Sequence, residues 1–180
     1  MLLSQSLRKL ALTAHVTSSV GFFGAVAAFL CLAIAGLMAD DPDRAGAAYV
    51  AMEITSWAVI VPLSFAALFT GMLQSLGTAW GVFRHYWVVV KVFLTVITAA
   101  VLLVHTQPVG TLAHVAVTGT VTDPSLRELR VQLIAASAAG LLVLLVATFL
   151  SIYKPRGLTP YGWRKQQAER TCRPPLDAEG

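Results

Sequence analysis

The sequence predicts an all-α fold, a polytopic membrane four-helix bundle with both termini in the cytoplasm. Three observations lead there. Four apolar stretches, at about residues 10–38, 50–76, 87–105 and 131–153, are each long enough to cross a bilayer, because about 20 helical residues span a hydrocarbon core of about 30 Å. Hydrophobic residues make up 57% of the 180-residue chain and charged residues 12%, with a mean hydropathy of +0.73, whereas soluble domains carry about a quarter charged residues. Lys and Arg gather on one side of the predicted spans, as they do in cytoplasmic segments.

The first span follows Arg8 and Lys9 and contains the small-residue pattern Ala33-Ile34-Ala35, which resembles a signal-peptidase site. Its apolar run is about twice the usual 7–15-residue signal core, and it carries His15 and the cluster Thr17-Ser18-Ser19. These features predict a retained helix. Ala14, Ser18, Gly21, Ala25 and Ala28 recur at three- or four-residue spacing, a stripe that permits close helix contact. In the second span Pro62 frees a backbone carbonyl and predicts a kink, with Ser64 close enough to help satisfy that group.

The connection 74–86 holds Trp80, Phe83 and Tyr86, with Trp87 following; such rings favour the headgroup level and predict an interfacial turn. Lys91 and His105 mark the two ends of span three. The segment 106–122 is apolar over 111–121, so it lies on the membrane or caps the bundle, and its secondary structure is left open. Asp123 suits an N-cap and Pro124 the first helical position of span four. The run Ala135–Gly140 predicts a second close-packing surface. Residues 1–155 thus form the transmembrane domain and 156–180 a basic, flexible cytoplasmic tail.

Crossing parity places Arg8, Lys9, Arg84, Lys154, Arg156, Arg164, Lys165, Arg170 and Arg173 on one side. Arg44, Arg127 and Arg130 fall on the other, offset by Asp40, Asp41, Asp43, Asp123 and Glu128. The net charge of +4 therefore reflects topology rather than nucleic-acid binding. Cys31 lies inside span one and Cys172 in the tail, so the two thiols do not pair. No CxxC or Cys/His metal spacing occurs.

Ionisable groups at membrane depth are the default functional candidates. They are His15 and Lys91 near the cytoplasmic ends of spans one and three, and Glu53 near the outer end of span two, with His105 on that same side and His114 beyond it in the outer loop. Each also has a structural reading: Lys91 can snorkel, His15 can hydrogen-bond a neighbouring helix, and Glu53 and the outer histidines can sit in solvent. Histidines in a helical bundle raise haem b, whose iron takes axial imidazoles. Lys91 and His105 are fourteen residues apart on one helix, roughly 21 Å at 1.5 Å per residue. With His15 at the depth of Lys91, His15 and His105 do not share one iron. His15 with His85, or His105 with His114, are the remaining pairings. No GxSxG, Walker A or HExxH sequence is present. With Glu53 the sole carboxylate in the spans and no continuous polar stripe, monomeric transport is disfavoured.

The segments LTAHVTSSVGFFGAVAAFL, PLSFAALFTGMLQSLGTAWGVFRHYWVVVK and LVATFLSIYKPRGLTPYG resemble a bacterial family of small integral membrane proteins, domain of unknown function 2269, common in actinobacteria. The resemblance covers about residues 8–165 and implies a four-helix protein of the bacterial inner (plasma) membrane, without an assigned activity. A fainter similarity links His15, Trp87, Lys91 and His105 to HemJ-type protoporphyrinogen oxidases and CopD-type membrane proteins. It departs at Val89, where those families carry a histidine, and in the longer interval from Lys91 to His105. It implies shared four-helix ancestry and marks His15, Lys91 and His105 as haem or tetrapyrrole candidates.

Taken together, these features predict a non-enzymatic interaction or accessory subunit of the membrane, partnered by the lipid bilayer and by a second copy or another membrane protein. The alternatives are a haem b or tetrapyrrole-associated redox protein and a small transporter subunit that oligomerises.

Overall fold

The computed structural model describes residues 4–77, 86–117 and 121–153, together with 157, 159, 160, 162–164 and 167. The described residues form helices and contain no strand. Helix α1 spans Gln5–Met38 and begins at Ser4, whose hydroxyl accepts from the Leu7 amide at 3.4 Å. It ends against a short turn. Asp41 then caps α2 (Pro42–Thr55), accepting from the Asp43 amide at 3.2 Å, with Pro42 in the first turn where its missing N–H costs nothing.

A π-turn, Ser56–Ile60, separates α2 from α3 (Val61–Gly77). Pro62 explains it. Proline has no N–H for the carbonyl four residues back, at Ala58, and one extra residue in the turn shifts the hydrogen-bond frame. The Val61 amide accordingly reaches Ser56 O, five residues back. The disturbance expected at Pro62 therefore takes the form of a widened turn just ahead of it. The Ser64 hydroxyl donates to Val61 O at 2.8 Å, not to the Ala58 carbonyl.

Helix α4 runs Tyr86–Ala116 and continues through Pro108. The span read from the sequence stops at His105, so this is a correction: His114 is helical rather than part of a loop. Burial of Val109, Leu112 and Ala113 holds the extra turns in place. Ala116 meets α2 closely at Gly46, where an added Cβ would lie 3.2 Å from Ala116 Cβ. Beyond α4, Val121 is fully buried, so part of the apolar stretch 111–121 caps the bundle. Asp123 caps the 3₁₀ turn ahead of the last helix, accepting from the Ser125 amide at 2.8 Å, and that hydrogen bond holds its carboxyl below the usual carboxylate range. A 3₁₀ turn, Pro124–Leu126, leads into α5 (Arg127–Tyr153).

Of the interfacial turn expected over 74–86, residues 74–77 and 86 are helical, and 78–85, including Trp80, Phe83, Arg84 and His85, lie outside the described residues, as do Cys172 and most of the basic tail. In the tail, the Thr159 carbonyl accepts from the Trp163 amide at 2.9 Å, and the Tyr86 amide donates to Gly157 O at 3.4 Å.

The elements α1, α2–α3, α4 and α5 pack as sequential neighbours in a four-cornered bundle, with α5 closing against α1. This is the up-down arrangement that short connections impose. The core is lopsided. Phe22, Val26, Phe29, Ala33, Tyr49, Met52, Val109, Leu112 and Leu133 fill the end where α1 meets α2 and α5 begins. The opposite end buries mainly small side chains: Ser18, Ser64 and Ala67. Outside, Leu10, Val20, Phe65, Phe69, Phe93, Val104, Leu142 and Phe149 are all exposed. Four helices are long and apolar enough to cross a membrane.

The two small-residue runs pack only in part. In α1, Ser18 and Ala25 are buried, and a Cβ on Gly21 would lie 3.1 Å from Leu63 of α3, while Ala14 and Ala28 face outward. In α5, only Ser137 of the 135–140 run is buried, and a Cβ on Gly140 would meet nothing within 4 Å. Four residues of that run, Ala136, Ser137, Ala139 and Gly140, line a cavity.

Candidate functional site

His15 and Lys91 come together. The His15 ring lies between α1 and α3, with Nδ1 3.1 Å from Ala67 O and 3.2 Å from Thr70 Oγ1. A carbonyl only accepts, so Nδ1 carries the proton and Nε2 presents a lone pair. That lone pair faces Lys91 Nζ from α4 at 3.4 Å, placing the ammonium as donor. Thr70 is oriented by its own hydrogen bond to Ala66 O at 2.6 Å. Gly71 admits the ring, because a Cβ there would lie 3.0 Å from His15 Cε1. Lys91 thus turns inward to His15, and the helical backbone of α3 fixes the imidazole tautomer.

The other candidates stand apart from this pair. Glu53 is half-buried on α2, and a Cβ on Gly110 of α4 would lie 3.4 Å from its Oε1. His105 is also half-buried, its Nδ1 bonded to Val101 O at 2.8 Å. His105 and His114 share α4 and are nine residues apart, which is roughly 13 Å of rise and about half a turn of rotation. They do not grip one iron, so the outer bis-histidine pairing is discarded. The inner pairing of His15 with His85 falls outside the described residues. Among the described residues, no three His, Cys, Asp or Glu side chains cluster to hold a metal ion.

Two features escaped the sequence reading. The first is Arg130, which the charge pattern alone places among the outer topology charges. It is 5% exposed. Its Nε donates to Tyr49 Oη at 2.9 Å, and its Nη2 donates to Gly36 O at 2.6 Å and Leu37 O at 3.2 Å. The guanidinium also sits 5.8 Å from the Tyr49 ring centroid. A signal was available, because Arg130, Leu133, Ser137, Leu144 and Ala147 are the buried residues of α5 and recur at helical spacing. The second is a cavity of about 290 Å³ beside His105, walled by α1, the π-turn, α4 and α5.

No protein-family model, curated protein or solved structure matches the chain. The sites must be read from their own chemistry. At the His15–Lys91 end that chemistry is an imidazole lone pair held against the Lys91 nitrogen as donor. At the Arg130 end it is a buried cation closing a helix terminus.

Proposed function

We propose that the chain is a non-enzymatic, multi-pass inner-membrane protein, with both termini cytoplasmic, that works through lateral assembly. One observation carries this reading: Gly24, Ala28, Cys31 and Ala35 are all exposed on one face of α1. At 100° per residue they fall within about 60° of one another, away from the buried face of Phe22, Ala25, Phe29 and Ala33. A Cβ on Gly24 would meet nothing within 4 Å, whereas the same test at Gly21, Gly36 and Gly46 meets another helix. In lipid, burying apolar surface gives helices no advantage, and close packing of small residues drives their association. A small face left uncovered within the chain therefore suits a second helix, and a second copy is the simplest partner.

Cys31, a free and exposed thiol on this face, supplies the test. In a Cys172→Ser background, mild oxidation of native membranes should cross-link Cys31 between copies, and Gly24→Leu should abolish the cross-link without loss of helicity. Gly21→Leu is unsuitable for this purpose, because it would strike Leu63 within the chain. A monomer in membranes and in mild detergent, unchanged by Gly24→Leu, would leave assembly without support.

A second reading is favoured by the His15–Lys91 contact. The two nitrogens singled out by the HemJ-type resemblance, His15 Nε2 and Lys91 Nζ, lie 3.4 Å apart between α1 and α4 and are the groups that would hold a tetrapyrrole metal. Against this, His15 is closely flanked by Gly71, and the cavity lies at His105 instead. Protein purified from haem-replete membranes should then show a stoichiometric Soret band that His15→Ala weakens. A featureless spectrum, oxidised and reduced, removes this reading.

A further inference from the structure

A partly open cavity of about 290 Å³, with Ile97 and Val101 exposed at its edge, needs a cause in a bundle whose helices otherwise pack closely. Two are visible. The π-turn widens the α2–α3 segment at Ser56 and Ile60, and α5 presents Ala136, Ala139 and Gly140, which leave the opposite wall short of side-chain volume. π-Turns of this kind occur frequently at functional sites. The volume lies near the lower end of ligand pockets, about 300–1,000 Å³, enough for one ring or one chain but not for a macrocycle.

The polar atoms of the wall are specific. Five polar side chains line the cavity: Ser56, Thr98, His105, Thr106 and Ser137. Each has its proton committed to a carbonyl of its own helix. Ser56 donates to Met52 O at 2.8 Å, Thr98 to Leu94 O at 2.9 Å, Thr106 to Leu103 O at 2.7 Å and Ser137 to Leu133 O at 2.7 Å. His105 Nδ1 lies 2.8 Å from Val101 O, and since a carbonyl only accepts, this nitrogen carries the proton of the neutral ring. Lone pairs are all that these groups have left to offer. The wall accepts hydrogen bonds and donates none.

A ligand bearing only acceptors, such as a ketone, ester or quinone, finds no partner here. A ligand bearing an O–H does. We propose that this cavity binds a small apolar molecule carrying a hydroxyl group, the chemistry shared by quinols and prenyl alcohols, with the hydroxyl donating to His105 Nε2. Among the free acceptors the imidazole nitrogen is the most basic, and Ile97, Val101, Leu102 and Val143 supply the apolar remainder. The inference is independent of lateral assembly, which uses the opposite face of α1.

The full-length protein in nanodiscs can be titrated with decyl-hydroquinone and with farnesol. Each is compared with its methyl ether, and the hydroquinone also with decyl-quinone, with bound stoichiometry read by native mass spectrometry. The expected result is one hydroxyl-bearing molecule per chain, bound about tenfold more tightly than its ether, the effect of one lost hydrogen bond. Binding of the quinol alone, or of the alcohol alone, supports the proposal and identifies the source. His105→Phe should erase the preference for the hydroxyl while keeping the apolar component. Gly140→Leu, with Ala139→Leu as a second filling variant, should abolish binding of both forms while circular dichroism stays unchanged. Equal binding of ethers and hydroxyl forms, binding untouched by His105→Phe and both filling variants, or no binding of any probe overturns the proposal.

Discussion

Replacing Arg130 by Met should destabilise the fold by about 3 kcal/mol or more, the sum expected when hydrogen bonds from a charged donor are lost and their buried acceptors stay behind. Methionine nearly preserves the volume and the apolar stem, so the loss isolates the polar contribution. Three acceptors depend on this side chain: Tyr49 Oη, Gly36 O and Leu37 O. The two carbonyls belong to the last turn of α1, where no amide of the same helix follows to bond them. That turn contains no basic residue of its own. Arg130 reaches across from α5 to supply the cation that a helix C-terminus favours. No carboxylate among the described residues pairs with it, so the helix end and the Tyr49 ring are what stabilise the buried charge. Arg130→Lys should recover only part of the loss, because an ammonium lacks the fork that serves carbonyls and hydroxyl together. Tyr49→Phe should cost about 1 kcal/mol, one hydrogen bond. Apparent melting temperatures followed by circular dichroism in mild detergent give the ranking. Should Arg130→Met melt within about one degree of the parent, a difference far below 1 kcal/mol in a domain of this size, the guanidinium would be a passenger.

What could be read from the sequence, and what could not, follows the range of the physics involved. Long apolar runs announce themselves one residue at a time, and all four appear as long helices. Asp123-Pro124 announced the start of α5 for the same reason, since an N-cap is a contact between residues two apart. The continuation of α4 past His105 was left open by the sequence, because nothing local to 106–122 decides it. What keeps the helix going is tertiary: Leu112 and Val109 are buried, and Ala116 lies against Gly46. The π-turn was foreshadowed by Pro62, but whether the chain bends, opens or widens there depends on what its neighbours allow.

The functional residues show the same division. His15 and Lys91 were singled out separately as polar groups in apolar surroundings, and their equal depth followed from counting residues. Their contact needed the close approach of α3, which Gly71 permits. Arg130 was missed because charge near a helix end was read as topology. The heptad-like recurrence of Arg130, Leu133, Ser137 and Leu144 pointed inward and should have outweighed it. The cavity has no local signature at all, being the space left where a widened turn faces small residues on another helix.

Gly36→Ala should destabilise by about 1–3 kcal/mol, the usual cost of overpacking, while the same change at Gly24 or Gly140 should stabilise by about 0.5–1 kcal/mol, the helical advantage of alanine. One chemical substitution thus takes opposite signs, and the neighbour decides which. A Cβ on Gly36 would lie 2.9 Å from Tyr49 Cζ and 3.1 Å from its oxygen, whereas at Gly24 and Gly140 it would meet nothing within 4 Å. Tyr49 has nowhere to go. It is fully buried, and its hydroxyl is held by Arg130 Nε at 2.9 Å. The cost at Gly36 therefore contains the cost of dragging the ring away from the guanidinium. In an Arg130→Met background that restraint is gone, so Gly36→Ala should hurt less than in the parent. Pairs in contact through a shared network couple by about 0.5–3 kcal/mol, and a double-mutant cycle over Gly36 and Arg130 measures this coupling. Strict additivity would mean that core packing alone, without Arg130, fixes the tyrosine ring against α1.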